Sequence, residues 1–155
     1  MLSKNIKIAV AVIVALFTLS SFVTNEPKEN GEIKWITIQE ALELSKKDNK
    51  PIFVDVYTDW CGWCKVMDKK TFSDTDVSSY VGENYYAVKL NPEKEGTIVY
   101  QGKNYTNAAF ANHFQIQGYP TILLLQAEKE SKAVPGFQDA DNFLKTLEKF
   151  KKTLK

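Results

Sequence analysis

The pattern of hydrophobic and polar positions divides the chain into a leader and a folded part. Lys4 and Lys7 precede an unbroken apolar run from Ile8 to Phe17, and Thr18, Ser20 and Ser21 follow it. A basic start, an apolar centre too short for a comfortable membrane span and a small, polar end predict a secretory signal peptide over residues 1–23, with an uncleaved N-terminal anchor as the competing reading. Over residues 24–32, Pro27, Asn30 and Gly31 stand among charged side chains, which predicts a linker.

From residue 33 onward short apolar runs alternate with amphipathic stretches. Ile33 to Ile36 suits a short strand, and Thr37 caps a helix over about 38–47 in which Ile38, Ala41, Leu42 and Ser45 share a face. Ile52-Phe53-Val54-Asp55-Val56-Tyr57 suits a central strand covered on both faces, interrupted only by Asp55. A helix reaching about Thr71 then offers Val66 and Met67 to the core, and Asp74 or Asp76 caps another that carries Val77, Tyr80 and Val81 and ends near Gly82. Tyr85 to Leu90 is the next strand, and Thr97 to Tyr100 and Lys103 to Thr106 flank Gln101-Gly102 as a hairpin. Asn107 caps a short helix through Phe114, and Gly118-Tyr119-Pro120 punctuates the chain before the apolar strand Thr121 to Leu125. Val134 to Phe137 suits only an edge strand, because Pro135 cannot donate to a ladder and Gly136 weakens one. Asp139 caps a last helix with Phe143, Leu144, Leu147 and Phe150 at helical spacing.

The 155 residues suit one domain, 33–155, with an ordinary core. Without Lys4 and Lys7 the 20 basic residues fall one short of the 19 acidic ones, so nothing points to nucleic acid or an anionic surface as a partner.

Both cysteines lie in Trp60-Cys61-Gly62-Trp63-Cys64. On a helix, positions three apart bring β-carbons to about 5–6 Å, close to the separation of about 3.5–4.5 Å that a disulfide needs. Cys61 would sit at the helix N-terminus, where unpaired N–H groups and the macrodipole stabilise a thiolate; it is the candidate nucleophile and Cys64 the resolving thiol. A purely structural bridge is the bland alternative, and so short a loop makes it a poor staple.

A strand, a Trp-Cys-X-X-Cys helix start, Gln117-Gly118-Tyr119-Pro120-Thr121 before an apolar strand and a final amphipathic helix together resemble the thioredoxin family, from about Ile33 to Phe150. Thr71-Phe72-Ser73-Asp74 narrows the resemblance to exported proteins related to the C-terminal domain of thiol:disulphide interchange proteins. The resemblance implies an α/β, thioredoxin-like three-layer sandwich, a mixed central β-sheet flanked by helices, with a β-hairpin insertion around 97–106. It makes Pro120 the family's cis-proline and Tyr119 the substrate-facing residue beside it. Asp55 takes the place of the family's buried acid and Lys89 that of its lysine partner. On physical grounds a buried carboxyl held near neutrality can exchange a proton with Cys64; a structural ion pair is the alternative.

Gly62-Trp63 replaces the Gly-Pro of thioredoxin. Trp63 keeps a backbone N–H that proline lacks, and a donor aimed at Cys61 would make the disulfide more oxidising than thioredoxin's, above about −270 mV yet short of about −120 mV. Trp60 and Trp63 form a flat apolar surface for a polypeptide, unless they pack inside as tryptophans usually do. The hairpin is expected as a passive insertion rather than a docking edge.

The expected function is an exported thiol-disulfide oxidoreductase, periplasmic or secreted, acting on protein thiols or disulfides as reductase or isomerase rather than net oxidant. It needs no bound cofactor or metal and acts as a monomer, with a membrane electron donor as a further partner. A copper-binding protein using Cys61 and Cys64, or a non-catalytic binding module, is the alternative. His113 is expected to be a solvated or helix-capping residue.

Overall fold

A computed structural model describes residues 31–127 and 129–154. The leader and most of the linker expected over residues 1–32 therefore lie outside the described residues. Among those described, no helix is long and apolar enough to cross a membrane.

The elements follow in the order β1 (Trp35–Ile36), α1 (Ile38–Asp48), β2 (Ile52–Val56), α2 (Gly62–Lys70), α3 (Thr75–Asn84), β3 (Tyr86–Leu90), β4 (Thr97–Tyr100), β5 (Lys103–Thr106), α4 (Asn107–His113), β6 (Thr121–Gln126), β7 (Glu130–Pro135) and α5 (Ala140–Thr153). Five strands form a sheet in the order β1-β3-β2-β6-β7. β1, β3 and β2 run parallel, while β6 and β7 are antiparallel to their neighbours. β4 and β5 make a separate hairpin.

Every residue of β2 is buried, as expected for a central strand with helices on both sides. Side chains alternate between faces, so Ile52, Val54 and Val56 join one core with Leu123, Leu125, Ile38 and Leu42 of α1, and Phe110 of α4. Phe53 points the other way and packs edge-on to Trp35 and Phe143, beside Met67 of α2 and Val77 of α3. Asp55 and Lys89 share that second face by the same alternation, and the parallel register pairs them across β2 and β3. The fold thus brings a carboxylate and an ammonium under α2.

Several boundaries differ from the sequence pattern. β1 spans only Trp35–Ile36, the residues that pair with Ala87 and Val88, while Ile33 is buried without joining the ladder. The last strand is Glu130–Pro135 rather than 134–137: it pairs with β6 through backbone groups while its side chains are mostly exposed, so it left no apolar signal. Gly136, at φ 94°, ends it in a conformation that favours glycine. Thr106, not Asn107, caps α4, its hydroxyl accepting from Ala109 N–H. The Asn107 side chain instead donates to Asn91 O and lies so close to Gly96 that a β-carbon there would meet its oxygen at 2.5 Å. Val66 is only partly buried, and Met67 alone of that pair enters the core.

The hairpin is packed into the fold. Ile98 and Tyr100 are 1% and 3% exposed and belong to the first core, and Val99 N–H donates to Gln39 of α1. Tyr100 meets Phe110 and Phe114 edge-on, which ties the hairpin to α4.

Candidate functional site

Cys61 and Cys64 form a disulfide, with 5.3 Å between their α-carbons. Cys61 is the N-cap of α2, in extended conformation, and its sulfur accepts the Cys64 backbone N–H at 3.1 Å. Capping by a sulfur satisfies one of the helix's orphan N–H groups and places a donor where a thiolate would develop. The donor seen at the sulfur is thus Cys64 N–H and not the Trp63 N–H expected from the sequence, because the side chain of an N-cap reaches the third helical residue here. The turn before it is held by Cys61 N–H donating to Thr58 O.

The two cysteines are 5% and 3% exposed, so the disulfide is almost wholly covered. The tryptophans that neighbour the cysteines in sequence each pair with a second ring. Trp60 meets Tyr119 edge-on at 5.9 Å, and Trp63 meets Phe137 at 5.3 Å. Trp60 and Trp63 are 67% and 63% exposed and Phe137 36%, although rings of this size usually gain by burial. The Tyr119–Pro120 peptide bond is cis, and Pro120 O accepts from Gly136 N–H, which brings the Phe137 loop beside Pro120. Phe137 was missed as a site residue: it followed a weak strand signal and carried no motif.

Trp60 is held in place from behind. Its indole N–H donates to Glu93 Oε1 at 2.9 Å, while Asp59 pairs with Lys94 at 2.6 Å and accepts from Asn91. Glu93 N–H donates in turn to Asn91 Oδ1, so the turn after β3 braces the residues before Cys61.

Beneath α2, Lys89 Nζ donates to Asp55 Oδ2 at 2.8 Å and also reaches Asp68 Oδ1. Asp55 is buried, and burial pushes its carboxyl above the usual range by more than the Lys89 ammonium draws it down. Burial lowers Lys89, but the two carboxylates outweigh it and the net shift is upward. Among the described residues, Asp55 Oδ1 has no hydrogen-bond partner, nor does the buried hydroxyl of Thr58. An unpartnered buried oxygen on a carboxyl of raised pKa is suited to carrying a proton.

His113 stands apart from the cysteines at the exposed end of α4, against the rings of Tyr100, Tyr105 and Phe114. Among the described residues no three His, Cys, Asp or Glu side chains are grouped to hold a metal ion.

A mixed five-stranded sheet between helices, with a Cys-X-X-Cys disulfide at a helix start and a cis-proline just before β6, defines a thioredoxin-like dithiol-disulfide protein. Residues 38–151 match the thioredoxin-like domain family, and the chain belongs to it. It is 34% identical over 137 residues, 85% of its length, to the thiol:disulfide interchange protein DsbD of Haemophilus influenzae (strain PittGG). It spans only about a fifth of the length of such relatives, 22% of that one. Among solved structures it is similar to the DsbH oxidoreductase, with a TM-score of 0.64 at 21% identity over 83% of this chain and 91% of that one. The DsbD C-terminal domain of Neisseria meningitidis in its reduced form gives a TM-score of 0.54 at 23% identity over 71% and 90%. The chain is therefore a homologue of thiol:disulfide interchange proteins, carrying the Cys-X-X-Cys pair as Cys61 and Cys64.

Proposed function

We propose that this protein is an exported thiol-disulfide oxidoreductase that reduces or isomerises disulfides in other proteins. The observation that carries the reading is the Cys61–Cys64 disulfide at the N-terminus of α2, with the exposed rings of Trp60 and Trp63 beside it in sequence. In the reducing direction the Cys61 thiolate attacks one sulfur of a substrate disulfide, forming a mixed disulfide and releasing the other substrate sulfur as a thiolate. Cys64 then gives its proton to Asp55 and attacks the Cys61 sulfur, which closes the Cys61–Cys64 disulfide and releases the second substrate thiolate. Two electrons have moved from the enzyme dithiol to the substrate.

Trp60, Tyr119, Trp63 and Phe137 offer apolar area on both sides of the reacting sulfur, which suits an extended polypeptide better than a small thiol. Pro120, beside Tyr119, completes the floor on which the segment lies. The apolar leader supports export to a periplasmic or extracellular space, where a reductase needs a donor of electrons; a membrane partner carrying a dithiol fits that need. The test is turnover with insulin disulfides in the presence of a dithiol, together with reactivation of scrambled ribonuclease. Activity lost in Cys61→Ser in both assays supports the reading, and activity unaffected by that change leaves only a binding module.

A further inference from the structure

The excursion from β3 out to the β4–β5 hairpin and back to α4 is closed at its root by two asparagines. Asn107, the first residue of α4, donates through its side-chain amide to Asn91 O at 3.3 Å. Asn91 follows the last residue of β3 and is buried, and its carbonyl also accepts from Lys94 N–H at 3.2 Å. Its side chain serves the same turn: Oδ1 accepts from Glu93 N–H at 2.9 Å, and the amide donates to Asp59. Gly96 lies so close to the Asn107 amide that an added β-carbon would stand 2.5 Å from its oxygen and 3.0 Å from its carbon and nitrogen. Gly96 is not in the left-handed region, so room, and not backbone conformation, calls for glycine here.

We propose that Asn107 is a positioning residue for substrate binding: it ties the turn over residues 91–96 to the core-anchored hairpin and, through Glu93, holds the Trp60 ring in one orientation. This rests on the reading of Trp60 as part of the surface that takes the substrate polypeptide. Residues 93–97 are exposed, so polar contacts rather than burial hold the turn beyond Pro92. Trp60 is itself 67% exposed, and its edge contact with Tyr119 and the bond from its indole N–H to Glu93 orient it. A turn that drifts carries Glu93 away and releases the ring. Ile98 and Tyr100 of the hairpin and Phe110 of α4 are buried in the first core, which makes Asn107 a fixed point from which the turn is held. A ring already held loses less conformational freedom when a polypeptide settles on it, so the gain falls on binding and not on the exchange at Cys61.

The experiment follows the Trp60 indole N–H by nitrogen-15 NMR in the full chain, assigned by its loss in Trp60→Phe, beside the steady-state kinetics of insulin reduction. Asn107→Ala removes the tie, and Gly96→Ala pushes the Asn107 amide off Asn91 O. Each is expected to shift the Trp60 indole resonance, to speed its exchange with water and to raise KM by about 2- to 5-fold, with kcat within about twofold. The double variant should be no worse than Asn107→Ala alone, because the new methyl then fills space the amide has left. A Trp60 resonance unmoved in Asn107→Ala overturns the proposal, whatever happens to KM, and so does a double variant in which the two effects add. The Trp60 reading fails separately, if Trp60→Ala leaves KM for insulin as it was. Circular dichroism confirms that each variant is folded before it is measured.

Discussion

The Cys64 backbone N–H points at the Cys61 sulfur from 3.1 Å, so the residue that resolves the mixed disulfide also caps the nucleophile. One helical turn thereby gives the two thiols unequal roles. Cys64→Ser is expected to accumulate a mixed disulfide with insulin, visible by non-reducing electrophoresis and mass spectrometry, whereas Cys61→Ser accumulates none. Turnover falls at least about 100-fold in both.

Because that donor belongs to Cys64, replacing Trp63 should leave the cap intact. In Trp63→Pro the reduction potential is expected to move by less than about 30 mV, a tenfold change in the equilibrium constant for two electrons. A larger fall would show that the Trp63 N–H engages the thiolate in the dithiol form.

The pairing of Trp63 with Phe137 predicts a different consequence for their side chains. Phe137→Ala and Trp63→Ala should raise KM for insulin about 3- to 10-fold, the loss of roughly 1 kcal/mol of apolar contact. Rates with glutathione disulfide, which is too small to span the two ring pairs, should stay within about twofold.

Burial raises the pKa of Asp55 above its unfolded value, so ionising it opposes folding. The stability it permits is fully present below the unfolded carboxylate pKa and is lost as pH rises through the higher, folded value. Asp55→Asn is therefore expected to be more stable than native near neutral pH, by on the order of 1 kcal/mol, with the difference shrinking toward zero below about pH 4. Urea unfolding at pH 8 and pH 4 measures both ends, and a destabilised Asp55→Asn at pH 8 would mean that the pair with Lys89 outweighs desolvation.

Ile98 tests whether the hairpin is part of the core. Ile98→Ala should cost about 2–5 kcal/mol in urea unfolding, as for any buried isoleucine, whereas the solvent-exposed tip of a passive insertion would lose almost nothing.

What the sequence made legible was whatever backbone periodicity and short motifs encode. The continuous run around Phe53 announced a strand buried on both faces, Thr37 and Asp139 announced helix starts, and Gln101-Gly102 announced the hairpin turn. β7 was misplaced because an edge strand held by backbone pairing needs no apolar side chains. Phe137, Glu93 and Asp68 were missed as participants for a related reason. Each is made relevant by a contact across the fold, with Trp63, Trp60 and Lys89 respectively, and none stands in a local pattern that reports it. The alternation that placed Asp55 inside β2 could be seen, whereas the sharing of Lys89 between two carboxylates appears only once α2 is laid over the sheet.

The account stands most directly on the redox equilibrium of Cys61 and Cys64. Trp60 and Trp63 flank the pair, so their fluorescence should report its state as the protein is equilibrated with glutathione buffers of stepped potential. The expected result is a reversible two-electron transition with a midpoint between about −270 and −120 mV, abolished in Cys61→Ser. A fluorescence signal that stays flat across that range, with thiol counting showing the pair locked in one state, would contradict the oxidoreductase reading.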